Sequence, residues 1–214
     1  MSLQLEAIIP TSNGAFLIRD VSADTVEAQR PASEAARIPG SRGGRMFGAA
    51  GPVLLIRCAH QYGRPSLRIT TGSGPAEPEW QREAVVALSA PTGRICLDAG
   101  DNDVPSLFAE VALAGGPGIY PVEIWHAGRQ EMRAQAAQVQ ATTLYASTAD
   151  TMAAWRGLDG LERYLLRIAS APQREHPARR RRLGRDVHEV AAWPQSVDRS
   201  VDGTVREAIA DVVS

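Results

Sequence analysis

The sequence predicts a mainly β protein, an antiparallel β-sandwich or jelly-roll of about eight strands with one or two short helices and a C-terminal helical extension. Three observations lead there. Apolar residues recur at every second position in several short runs, among them AFLIRDV (Ala15 to Val21), SLRITT (Ser66 to Thr71) and QREAVVALS (Gln81 to Ser89). Gly, Pro and Asn turn signals separate such runs at spacings of roughly 8–12 residues. The continuous apolar run VLLIRCAH (Val53 to His60) has the length and composition of a central strand.

Taken in order, Leu3 to Ile9 alternates as a first strand ending at Pro10, and Thr11-Ser12-Asn13-Gly14 turns the chain into Ala15 to Val21 as its hairpin partner. Asp24 to Ala36 is rich in Ala and Glu and predicts a helical turn or two, interrupted by Pro31. Residues 39–52, PGSRGGRMFGAAGP, read as a mobile glycine-rich loop with no packing of its own. Strands at Val53 to His60, Ser66 to Thr71, Gln81 to Ser89 and Arg94 to Asp98 follow. The stretch FAEVALAGGPGIYPVEIWH, Phe108 to His126, then reads as an antiparallel hairpin about Gly115 to Gly118, with Pro121 placing its second strand where one neighbour at most can pair.

Arg129 to Gln140 has helix-forming composition but also admits a strand from Ala137 to Thr143, and both readings stay open. Ala149 to Arg156 predicts a short helix with Thr148 or Asp150 as N-cap and Gly157 as its stop. Leu161 to Ile168 reads as a last strand, with Tyr164, Leu166 and Ile168 on one face and Arg163 and Arg167 on the other. The body is therefore expected to span residues 1–170. Residues 171–214 read as a basic linker and a short amphipathic helix, capped by Thr204 with Glu207 and carrying Val205, Ala208, Ile209 and Val212 along one side.

Composition narrows the function classes. The chain has 214 residues, formal net charge −1 and 22% charged residues, an ordinary balance for a globular protein. All 23 basic residues are arginine, which excludes a P-loop lysine, a Schiff-base lysine and a Ser-Lys dyad. MSLQLEAIIP lacks the basic and long apolar regions of a signal peptide, and no apolar run has the length of a membrane span, so a cytoplasmic protein is expected. In that compartment Cys58 and Cys96 read as reduced, buried thiols.

Several residue groups are candidate sites, each with a plain structural alternative. Cys58 with His60, and Cys96 with Asp98, each sit two apart and share a strand face, so the four would form a metal set if their strands were neighbours. Leu54 and Ile56 share the Cys58 face, which favours core packing instead. The loop Asp98, Asp101, Asn102, Asp103 offers oxygen ligands of the calcium type without the EF-hand spacing, and reads as a solvated turn. Glu123, His126 and Arg129 offer a carboxylate–histidine pair for acid–base work, but no nucleophile elbow accompanies it. Arg179 to Arg182, with Arg174 and Arg185, would contact phosphates; with no interleaved aromatic the run reads as a solvated linker rather than a nucleic-acid site.

Three blocks carry a resemblance: PAEPEW (Pro75 to Trp80) with the strand after it, LAGGPGIYPVEIWHAGR (Leu113 to Arg129) and ERYLLRI (Glu162 to Ile168). Over residues 65–168 the chain resembles a group of bacterial β-sandwich proteins related to the inhibitor of the competence DNA-entry nuclease. The resemblance implies a binding protein without catalytic residues, and it transfers no interface residue. The expectation is thus a non-enzymatic protein-binding module of inhibitor or immunity type, with no cofactor, another protein as partner, no membrane, and a homodimer as a further option. The competing expectation is a cupin-like small-ligand or metal-binding sandwich, an enzyme among them, using His60, Cys96, Asp98 or His126.

Overall fold

The computed structural model describes residues 3–38, 44–72, 77–100 and 103–170. Ten strands form two five-stranded sheets. The strands are β1 (Gln4–Ile8), β2 (Ala15–Asp20), β3 (Phe47–Ala50), β4 (Val53–Arg57), β5 (Ser66–Thr71), β6 (Gln81–Ala90), β7 (Arg94–Asp98), β8 (Val111–Ala112), β9 (Gly118–Ala127) and β10 (Arg163–Ile168). The first sheet runs β1-β5-β10-β9-β6 and the second β3-β4-β2-β7-β8. All pairings are antiparallel except β10 with β5. The mainly β, sandwich-like reading of the sequence is borne out, with ten strands in place of eight.

Period-2 alternation does the sorting. Phe16 and Ile18 of β2, Leu54 and Ile56 of β4, and Ile95 and Leu97 of β7 point into one core with Leu67, Ile69, Tyr120, Val122, Ile124, Tyr164, Leu166 and Ile168 of the facing sheet. Phe16 meets Tyr164 edge-on across the sheets, with ring centroids 5.5 Å apart. The continuous run in β4 is explained by burial of both its faces. Leu54 and Ile56 enter the core, while Val53 and Leu55 pack under helix α1 (Val26–Ala35) against Ala23, Ala32 and Ala36.

Three helices occur among the described residues, one more than the sequence expectation allowed. In α1, Thr25 Oγ1 accepts from the Ala28 N–H at 3.2 Å, and the helix carries on through Pro31 to ten residues. Packing on β4 offsets the roughly 3 kcal/mol that an interior proline costs. That packing needs Gly48: a Cβ there would stand 2.1 Å from the Ala32 carbonyl oxygen. The glycine-rich stretch is corrected accordingly. Its second half is an edge strand, β3, paired with β4 and lying beneath α1, while residues 39–43 fall outside the described residues.

Two expected hairpins are also corrected. The turn at Asn13-Gly14 forms, but β1 pairs with β5 in the first sheet and β2 with β4 and β7 in the second. The Gly115–Gly118 connection likewise leaves β8, paired with β7, for β9, paired with β6 and β10. Phe108 belongs to a short 3₁₀ turn with its side chain in the core. Inward residues of two facing sheets alternate along the chain just as those of one hairpin do, so periodicity alone does not distinguish them. Pro121 is in register with Ala87 of β6. On the other side, where its missing N–H would point, its carbonyl still accepts from the Ala169 N–H at 2.9 Å just past β10. It therefore has a neighbour on both sides, and the expectation of one at most is corrected.

The stretch left open between helix and strand is α2 (Arg129–Thr142). It pairs with α3 (Thr148–Arg156), burying Met132, Ala136 and Trp155 together with Ala59, Val139, Leu158 and Leu161. The cap of α3 is Ser147, whose Oγ accepts from the Asp150 N–H at 3.1 Å, in place of the expected Thr148 or Asp150, and Gly157 ends the helix as expected. No described helix is long and apolar enough to cross a membrane. The expected linker, the Arg179 to Arg182 run and the capped helix at Thr204 lie outside the described residues.

Candidate functional site

The ends of the sandwich differ. At one end β4 leaves its sheet, β9 runs into α2 and β10 begins, and these three junctions meet around Glu162. Gly128, at φ 73°, makes the turn from β9 into α2; a Cβ there would lie 2.0 Å from the Leu161 carbonyl oxygen, so no other residue fits. The turn delivers Arg129 to Glu162 at 2.8 Å and to the Tyr164 hydroxyl, and its guanidinium also donates to the Arg57 carbonyl at 2.8 Å. Glu162 further accepts from the Ala59 N–H at 2.9 Å and from the Tyr164 hydroxyl at 2.5 Å. One buried carboxylate therefore ties both sheets and α2 together. Burial pushes the Glu162 carboxyl up, against the lowering pull of its hydrogen bonds and of Arg129.

Beside this knot opens a polar cleft of about 1050 Å³, entered from the β4–β5 loop, the far end of β9 and the first turn of α2. His60 and His126 both line it, with Arg45, Arg57, Arg129 and Arg133. His126 is 3.6 Å from Glu83, and burial together with the charge of Arg129 holds its imidazole below the usual range. The His60 ring is stacked on Trp155, centroids 4.6 Å apart at 14°. Its Nδ1 accepts from the Tyr62 N–H at 3.3 Å and its Nε2 stands 3.1 Å from the Gln140 amide. Both ring nitrogens have neighbours and burial pushes the His60 pKa down, and the ring joins the β4–β5 loop to α2 and α3.

Gln61 lines both this cleft and a second, of about 700 Å³, in which Trp155 lies beside Tyr62 and Met152, with Arg64, Arg156, Asp103 and Asp159 also in its lining. Tyr62 is 58% exposed and Met152 50%, and in the α2–α3 turn Leu144 is 70% and Tyr145 96% exposed.

The sequence-predicted site residues divide as follows. Cys58 and His60 both line the polar cleft. Cys96 and Asp98 do not join them, because β2 lies between β4 and β7. Cys96 is in register with Arg19 on the face away from the core, and Asp98 accepts from Arg19 Nε at 2.9 Å and from the Gly100 N–H at 2.9 Å. Among the described residues no three His, Cys, Asp or Glu side chains gather closely enough to hold a metal ion. Burial, and then the Glu162 charge, push the Cys58 thiol far above its usual range, and burial raises Cys96 as well. Glu123 lies on the outer face, accepting from Trp125 Nε1 at 3.0 Å, so it is separated from His126. Asp101 and Asn102 of the acidic loop lie outside the described residues, and Asp103 borders the apolar cleft.

Sequence reasoning missed Glu162, Tyr164, Tyr62, Trp155 and Arg57. Glu162 stands immediately before an apolar strand, a place where charged residues are commonly solvated. Its burial is accounted for by partners distant in sequence, Arg129 33 positions earlier and the Ala59 N–H 103 positions earlier, together with the Tyr164 hydroxyl.

No family model and no curated protein matches the chain. Among solved structures it is similar to ComJ, the inhibitor of the DNA-degrading activity of NucA from Bacillus subtilis, at TM-score 0.46 and 10% identity, covering 80% of this chain and 99% of that one. It is also similar to the crocagin biosynthetic gene J product, at TM-score 0.44 and 18% identity, covering 81% and 99%. Both are distant likenesses of chain path, and no residue role is carried across from either.

Proposed function

We propose that the chain is a non-enzymatic protein-binding module, of inhibitor or immunity type, whose docking face is the apolar cleft at the α2–α3 end. The observation that supports this reading is the grouping of Tyr62 and Met152 around Trp155, with Leu144 and Tyr145 exposed in the turn that leads into α3. Large apolar side chains held in water on a rigid scaffold are a standing free-energy cost that burial by a partner relieves, at about 25 cal/mol per Å². Tyr, Trp and Met are the residue types that interface cores concentrate. The chemistry at this end agrees. Burial, then the Glu162 charge, keeps the Cys58 thiol protonated, which disfavours it as a nucleophile, and both nitrogens of His60 stand beside structural partners, the Tyr62 N–H and the Gln140 amide.

Affinity capture from the native host with the full chain tests the proposal, run beside the double variant Tyr62→Ala, Met152→Ala. The expected result is a protein held by the parent and lost by at least about tenfold from the variant, the effect of removing about 1.4 kcal/mol or more of binding energy. Equal retention by both chains would overturn the assignment of this face.

A further inference from the structure

We infer that the polar cleft beside the docking face is an oxyanion-binding site, built to take the phosphate or carboxylate group of a ligand. Three arginines supply the charge. Arg45, Arg57 and Arg133 line the cleft and make no ion pair among the described residues. Arg30, Arg37 and Arg156 elsewhere also make none, while Arg19, Arg64, Arg68, Arg82, Arg94 and Arg163 each face a carboxylate, so what marks the cleft is three such guanidinia around one space. The Nε of Arg57 is buried with no hydrogen-bond partner, a donor left without an acceptor where burial makes that costly. A guanidinium presents its N–H groups in a fork that matches carboxylate and phosphate, so unpaired guanidinia around one cleft select that chemistry over a cation or an apolar group.

The backbone reinforces the side chains. The first turn of α2 borders the cleft, and its N-cap is Gly128, which has no side chain to accept from the free N–H groups there. Two acidic groups also line the cleft, Glu83 and Glu131. Glu83 is directed to His126 at 3.6 Å, and Glu131 belongs to the exposed first turn of α2. Arg129 is committed to Glu162 and so positions the α2 turn rather than binding. Burial, and then the charge of Arg129 with a smaller contribution from Arg133, lowers the His126 pKa, while Glu83 opposes them. The volume of about 1050 Å³ accommodates a whole small molecule.

The site shares only Gln61 with the lining of the docking face, so its test is separate. The full chain is titrated with inorganic phosphate and with citrate at constant ionic strength, followed by amide chemical shifts, beside the double variant Arg45→Gln, Arg133→Gln. Both substituted side chains are exposed and lie outside the Glu162 knot, so the variant is expected to fold, which its own spectrum verifies. Saturable binding, with shifts at residues 128–131 and an affinity at least about tenfold weaker in the variant, is the expected result. Absence of saturation, or saturation that the variant leaves unchanged, overturns the inference. A hexaglutamate peptide identifies the source of the anion: binding tighter than citrate assigns it to acidic side chains of a protein, and weaker binding assigns it to a free small molecule. Loss of phosphate binding with the apolar face still capturing protein, or the reverse, separates this inference from the proposed function.

Discussion

Two fully buried carboxylates, Asp20 and Glu162, stand at opposite ends of the sandwich, and the molecule treats them differently. Asp20, where β2 meets the turns after β3 and β6, accepts from the Ser22 N–H and hydroxyl at 2.9 and 2.6 Å and from the Thr92 N–H and hydroxyl at 3.0 and 2.7 Å. No cation is needed: neutral donors two residues away and across one turn satisfy it. Burial alone would raise its pKa, but these four hydrogen bonds outweigh that and hold the carboxyl below its usual range. Glu162 instead has a guanidinium and a tyrosine hydroxyl, and burial still wins. The Asp20 end is sealed by its own turns. The Glu162 end joins three elements and leaves two clefts that share Gln61 in their lining, with Tyr62 and Met152 exposed at one and Arg45, Arg57 and Arg133 around the other.

Breaking each carboxylate sharpens the contrast. Glu162→Ala strands Arg129 in a buried site, and a loss of about 3–5 kcal/mol is expected in chemical denaturation. Asp20→Asn keeps the shape but halves the acceptor capacity for donors that stay in reach, at a cost of about 2 kcal/mol. A larger effect at Asp20 than at Glu162 would reverse the comparison.

Dependence on pH should then differ in sign. Because the Asp20 pKa is depressed on folding, its contribution is present above the unfolded value and lost as pH falls through the folded one. The cost of Asp20→Asn should therefore shrink in acid. For Glu162 the folded pKa is raised, so its contribution is full below the unfolded value and fades as pH rises through the folded one. The cost of Glu162→Gln should accordingly shrink as pH rises. Parallel curves for the two variants would contradict this account. The smallest effect concerns Cys58, which lines the polar cleft. With burial and then the Glu162 charge keeping its thiol protonated, alkylation by iodoacetamide at neutral pH should be slower in the native chain than in the urea-unfolded chain, and equal or faster native-state labelling would refute it.

Strand positions were legible in the sequence because alternation reports burial on a sheet. β2, β5, β6, β7 and β10 lie where the pattern placed them, within a residue or two. Pairing was not legible, since the chain crosses between sheets at Asn13-Gly14 and again at Gly115–Gly118, and a crossing leaves the alternation intact. β3 was hidden because Gly48, read as loosening a loop, is small to admit α1. The site was hidden more deeply. Glu162 meets Ala59 from 103 positions away, and Arg57 becomes a cleft residue through contacts distant in sequence.

The central claim is that the Glu162 end recognises and the Asp20 end only holds. Hydrogen exchange of the full chain, alone and bound to the protein it captures, tests this most directly. New protection is expected at residues 60–64 and 144–156, with residues 89–94 and 113–118 unchanged. Protection confined to the latter two segments would contradict the account.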